Sequence, residues 1–351
     1  MLSIRPLTSR LFARITGRHI FDEAELVREI APAAAWEVRP TISLPNEVDR
    51  IVRHHPVSIA ANNLSLVHDT LIKQGPTRAH LLRDVVIASG ALMTTRACDT
   101  ISSERRQAIL HRPLDQIAAG AFCSTTMTER YFGHWLMDGL SHELLASDIE
   151  SSPLSFAGSN RAHEPGYREI LAMQTHEVSF AKVQRLWVLQ DCELNQNRAA
   201  RLRRIRARLG NAAVDEGHSH VFISRGSTGV GRTLVNEMEL CEVLSKRGFN
   251  IIEPEVMSAK AIAQELHRAR IIISVEGSAI AHAMLACPQG AGLLVIQPPR
   301  HFNMIWRTYC GIFGMPFAFT VGTAVASESF HQPIGRLMDS IDLLEREIAT
   351  A

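Results

Sequence analysis

The sequence predicts an α/β protein whose C-terminal half is a Rossmann-like parallel sheet. Two observations carry this. From Gly217 onward, short runs rich in β-branched residues alternate with helical patterns, as in a parallel sheet covered on both faces. The chain has 351 residues, 46% hydrophobic and 21% charged, which fits two domains, each with a core.

The regular half reads element by element. Val221-Phe-Ile-Ser is the first strand, followed by a glycine-rich loop. Asn236 opens a helix with Glu239 three residues on, a capping-box arrangement, and Arg247-Gly248 ends it with a basic last turn and a C′ glycine. Strand Asn250-Ile-Ile-Glu, a helix over 258–268 and strand Arg270-Ile-Ile-Ile-Ser come next. Gly277-Ser-Ala starts another helix that stops before Pro288, and Leu293-Leu-Val-Ile-Gln is a strand closed by Pro298-Pro299. Ligands on such sheets bind at the carboxyl ends of the strands. That singles out loops 225–235, 253–258, 275–280 and 297–304.

Residues 1–210 give shorter, uneven signals. Asp84-Val-Val-Ile-Ala-Ser, Leu154-Ser-Phe-Ala and Arg185-Leu-Trp-Val-Leu read as strands, with a helical stretch over 124–147 between them. Residues 197–209 form an arginine-rich helix with Leu202, Ile205 and Leu209 on its apolar stripe. At the other end of the chain, Ile334, Leu337, Met338, Ile341, Leu344 and Ile348 recur at helical spacing.

Composition excludes several classes. The net charge is +1 from 37 basic and 36 acidic residues, so no global field calls for nucleic acid. No apolar run approaches the roughly 20 residues of a membrane helix. The six cysteines are scattered among apolar or small neighbours with no C-x-x-C, the pattern of free thiols in a reducing compartment. Only four basic residues are lysine; the rest are arginines, whose planar forks suit phosphate and carboxylate. Arg5, Arg10, Arg14 and Arg18 precede the first acid, Asp22, with Leu11, Phe12 and Ile15 around the other helical face. That stretch fits an ordinary exposed basic start, an organelle transit peptide or a weak membrane-surface helix.

Three groups of residues have the chemistry of a site. Gly226-Ser-Thr-Gly-Val-Gly-Arg232-Thr233 matches a phosphate-cradling P-loop except for arginine in the lysine position. The cap signal at Asn236 falls too late for a P-loop, yet a loop presenting Arg225 and Arg232 suits an anion. Gly277-Ser278, between strand and helix, offers backbone N–H groups to a phosphate; the competing reading is a tight turn. His134, Asp138 and His142 lie four apart on one helical face. Three ligands stacked along two turns converge poorly on a metal, so none is expected. A polar face with one member as general base is the functional reading, and a satisfied core histidine is the alternative.

The order of these features resembles glycosyltransferase family 61. His134-Trp-Leu-x-Asp138 precedes Phe222-Ile-Ser-Arg225, then Arg232-x-x-x-Asn236-Glu237-x-Glu239-Leu240, Gly248-Phe249, Pro254-Glu255, Ser258 and Ala269-Arg-Ile-Ile-Ile-Ser with its Gly-Ser turn. The resemblance covers about residues 120–300, is densest over 220–298, and points to a bacterial capsular-polysaccharide-type member. It implies a GT-B fold: two Rossmann-like domains facing across a cleft. Residues 1–214 would then be the acceptor side, 215–330 the nucleotide-sugar domain, and 331–351 a helix crossing back to pack on the first domain. It implies inverting, metal-independent transfer from a nucleotide sugar, usually a UDP-sugar, to a glycan or polysaccharide acceptor, with no cofactor. Asp138 or His134 would be the base. Arg225, Arg232, Asn236, Glu276, Gly277, Ser278 and His282 would hold the donor. One departure is that Glu276-Gly277-Ser278 stands where the family commonly has His-Gly-Ala, which puts the donor in doubt; His282 is the residue expected to take over the polar role. A P-loop-like NTPase and a non-catalytic nucleotide-sugar-binding relative are the competing functions. The expected setting is cytoplasmic, at the inner face of a membrane if the basic start makes contact there.

Overall fold

A computed structural model describes residues 5–56, 58–102, 115–158, 161–212, 217–226 and 232–350. By contacts the chain forms two compact units, one of residues 1–34, 75–162 and 172–205, the other of 35–74, 163–171 and 206–351. The units are therefore interleaved in sequence.

The first unit holds an eight-stranded mixed sheet. Its centre is the long strand Thr77–Ala88, antiparallel to Leu26–Ala31, Ala91–Met93 and Phe180–Gln190. The parallel part begins at Phe180–Gln190, which runs alongside Asp115–Phe122; Pro153–Phe156 and His176–Val178 continue it. This unit is thus only half Rossmann-like, which corrects the expectation of two such domains. The physical reason is local. Ser89 and Gly90, at φ 50° and 72°, make a two-residue turn between Ala88 and Ala91, and such a turn joins antiparallel strands only. Leu82, Phe122, Leu154, Val183 and Leu186 pack in one core of this unit, while Ala121, Leu145, Ala146 and Leu189 form a second.

The second unit has the parallel sheet that the sequence predicts. Its order is Asn250–Ile252, His220–Ile223, Ile271–Val275, Gly292–Gln297, Phe317–Val321. In chain order that is 2-1-3-4-5, a doubly wound arrangement whose direction reverses between the first and third strands. Residues 35–74 belong here because Ile42 joins the edge strand: its N–H donates to Phe317 O at 2.9 Å and its carbonyl accepts from Phe319 N at 3.1 Å.

The helix Ile334–Thr350 packs within the second unit. Its stripe is spent on the second unit's own core, where Leu337, Ile341 and Leu344 are fully buried with Phe222, Ile273 and Leu294. Gly292 permits the approach, since a Cβ there would lie 2.6 Å from Ile348 Cδ1 and 2.9 Å from Leu344 Cδ1. Arg247 adds ion pairs to Asp342 at 2.5 Å and Glu345 at 2.8 Å. Leu344→Ala should therefore lower unfolding stability by about 2–5 kcal/mol in denaturant titrations, the cost of a buried cavity. A variant as stable as the parent would show that the helix does not complete this core.

Candidate functional site

The switch point of the second unit brings together the loops after its first and third strands. Arg225 follows His220–Ile223, and Glu276-Gly277-Ser278 follows Ile271–Val275. Arg225 Nη1 donates to Glu276 O at 3.2 Å, and a Cβ at 277 would lie 3.1 Å from that nitrogen, so glycine gives the guanidinium its room. The backbone N–H of Arg225 is anchored on Glu237 Oε1 at 2.6 Å. Gly226 adopts φ 67°, and the Glu255 carboxylate lies where its side chain would be.

Arg232 reaches the same point and pairs through Nη1 with Glu276 Oε2. Glu276 is buried, and Asn303 Nδ2 donates to its Oε1 at 3.5 Å. Burial pushes the Glu276 carboxyl above its usual range, against the pull of Arg232 and Arg225. Among the described residues, buried Arg232 Nε has no hydrogen-bond partner. Nearby, His301 is depressed to about 3, by burial first and then by the charge of Arg232.

Two residues expected here lie elsewhere. Asn236 is at the helix N-cap but makes no capping bond with its side chain. Its amide instead donates to Gln332 O at 2.9 Å and accepts from Gln332 N at 3.0 Å. His282 is 1% exposed, with Nδ1 2.6 Å from Tyr167 OH and its ring edge-on to His163. It is a core histidine. The expected helix start at Gly277 is also displaced: the helix is Ile280–Ala286, and the N–H groups of 280, 281 and 282 bond back to the carbonyls of 277, 278 and 279. Of the P-loop-like segment, 227–231 lie outside the described residues. Thr233 receives Phe330 N on its carbonyl, and the helix begins only at Glu237, so Arg232-Thr233 do not open it as a P-loop would.

The first unit carries the other constellation. His134 caps, and Asp138 lies within, a widened π-helical turn, Trp135–Gly139, a local irregularity frequent at functional sites. His134 Nδ1 lies 2.5 Å from Asp138 Oδ2, and Arg198 Nη2 donates to Asp138 Oδ1. His142 does not join them. It is buried between the carbonyls of Cys123 (3.3 Å) and Asp191 (3.0 Å), and burial lowers its pKa.

Residues 132–294 match the glycosyltransferase 61 family model. That span is a glycosyltransferase family 61 domain. No curated protein matches it. The matched span runs from the His134 turn through the switch point to the fourth strand of the second unit, so His134, Asp138, Arg225, Arg232 and Glu276 lie inside it, whereas His301 and Asn303 follow it.

Sequence reasoning missed Asn303 and His301, although it named their loop. It also missed Arg198, which lies 60 residues from its partner Asp138. A cavity of about 450 Å³, lined by Glu169, Leu209, Ser258, Lys260 and Gln264 among others, shares none of these site residues.

The buried histidines give a pH signature. His282 falls from its ordinary 6.5 to about 3 on burial, so its stabilisation is present above about pH 6.5 and is lost as pH falls toward 3. His282→Phe should flatten the acid loss in denaturation midpoints compared near neutrality and near the middle of that window. An unchanged slope would assign the loss to other groups.

Proposed function

We propose that this family 61 glycosyltransferase is an inverting enzyme that takes a sugar from a nucleotide sugar, a UDP-sugar in our reading, and transfers it to a hydroxyl of a glycan. The observation that carries the donor side is Arg232 Nε, which finds no acceptor among the described residues and is buried beside Arg225 at the switch point of a parallel sheet. A buried donor without a partner calls for an acceptor, and diphosphate oxygens supply several. Arg225, Arg232, Gly277 and Ser278 form the proposed diphosphate seat. Asn236 and His282 leave the donor set, being held by Gln332 and Tyr167.

The base is His134 in this reading. Both Asp138 oxygens already accept hydrogen bonds, one from Arg198 and one from His134, which makes that carboxylate an orienting group. With Nδ1–H donated to Asp138, the lone pair of His134 stands on Nε2. The acceptor oxygen attacks the anomeric carbon and its proton passes to Nε2. The bond from that carbon to the diphosphate oxygen breaks, and its electron pair leaves with the diphosphate, neutralised by the two arginines. Direct displacement inverts the anomeric centre.

The membrane contact of this reading rests on the helix Arg5–Thr16. It buries Ser9 while Leu11 and Ile15 are 57% and 71% exposed, in a stretch with no acid before Asp22. No helix among the described residues is long and apolar enough to cross a membrane.

Arg225→Ala and Arg232→Ala should each weaken UDP binding roughly ten- to a hundredfold, the loss of one charge-assisted contact, and leave uridine binding nearly unchanged. Calorimetry with both ligands checks this; two folded variants that bind UDP as the parent does would remove the seat. His134→Ala should abolish transfer while UDP affinity holds, measured by sugar release from a panel of UDP-sugars with glycan acceptors. A folded His134→Ala that still transfers would remove the base.

A further inference from the structure

Arg198 is 1% exposed and stands in the first turn of the helix Gln196–Ala212. Both conditions oppose it. A buried guanidinium loses its hydration, and a cation at a helix N-terminus meets the positive end of the dipole. The surrounding bonds nevertheless fix it there. Asn195, fully buried, accepts on Oδ1 from Asn197 N at 3.1 Å and Arg198 N at 3.2 Å, and its own amide donates to Thr77 Oγ1 at 2.8 Å.

The guanidinium then divides its donors. Nη1 reaches Asp191 O at 2.8 Å, and Nη2 reaches the Asp138 carboxylate. The Asp191 carboxylate is engaged in a two-pronged pair with Arg201, at 2.8 and 2.9 Å, and accepts from Thr77 Oγ1 at 2.6 Å. The charges therefore sort into two pairs, Arg201 with Asp191 and Arg198 with Asp138. An ordinary core ion pair would end at Asp138. Here the second carboxylate oxygen is spent on His134, whose side chain is 24% exposed.

We propose that Arg198 is a positioning residue: it holds the Asp138 carboxylate so that Oδ2 receives His134 Nδ1–H and Nε2 is left as the proton acceptor. This rests on the reading of His134 as the base. Among the described residues, the charged and titratable groups around the pair include Asp191, Arg201, His142 and Cys192, with the Tyr131 ring 5.9 Å from that of His134.

The test needs no donor or acceptor. The full chain is labelled with 15N-histidine, and long-range 1H–15N spectra read the tautomer and titration midpoint of His134, assigned by the signal missing in His134→Ala. The parent should show Nδ1–H with unprotonated Nε2. Arg198→Gln keeps a donor and removes a nearby positive charge, so the His134 midpoint should rise with the tautomer retained. Arg198→Lys should restore the parent midpoint, and Arg198→Met should mix the tautomers. A folded Arg198→Met with the parent's tautomer and midpoint overturns the proposal. If that variant does not fold, equal midpoints in the Gln and Lys variants do the same. Failure of the base reading is separate: it shows as transfer retained by His134→Ala, whatever the spectra of the Arg198 variants.

Discussion

A guanidinium taken out of water must find acceptors in its own plane, and both units are arranged around that demand. In the first unit Arg198 and Arg201 are buried and matched by Asp138 and Asp191. In the second, Arg232 is matched by Glu276, and the buried Arg307 donates to Thr41 and to the carbonyls of Arg39 and Asp69. The last case shows how far the demand reaches. Residues 35–74 stay with the second unit partly because their carbonyls satisfy a side chain more than 230 positions away. Where the acceptors are carboxylates, matching the arginine also fixes the carboxylate, and two of the carboxylates so fixed, Asp138 and Glu276, lie in the candidate sites.

How much of this was legible follows from the distance over which each feature is decided. The parallel sheet was readable because strand, cap and turn are local. Ser258 caps its helix, accepting from Ala261 N at 3.2 Å, and Gly248 closes the preceding one, as expected, at φ 88°. The central strand of the first unit was only partly readable. It spans Thr77–Ala88, but Arg78, His80 and Arg83 break the apolar pattern, so only its end from Asp84 stood out. Arg225, Glu276 and Gly277 were brought together because all sit at strand ends, where topology alone collects them. Asn236 and His282 misled for the opposite reason. Their partners, Gln332 and Tyr167, lie 96 and 115 positions away, and spacing carries no record of such pairings. Arg198 did leave a trace. A cation in the first turn opposes the helix dipole, which marks it as held by something outside the helix.

The carboxylate at 276 bears most directly on what the proposed donor seat recognises. Arg225 and Arg232 bring two positive charges, but Glu276 pairs with one of them, and Glu237 and Glu255 act on the other. Surplus positive charge therefore cannot be the source of affinity for a diphosphate. What remains is directed: the unspent Nε of Arg232 and a guanidinium fitted over Gly277. Donors of fixed direction favour a ligand whose oxygens fall in the right places over one that is merely anionic. Screening acts on net charge at a distance far more than on aligned bonds in a half-buried site. On this reading Glu276 takes away nonspecific attraction for free phosphate and leaves geometry to choose the donor. That gives a physical role to a position at which the chain departs from the pattern it otherwise follows.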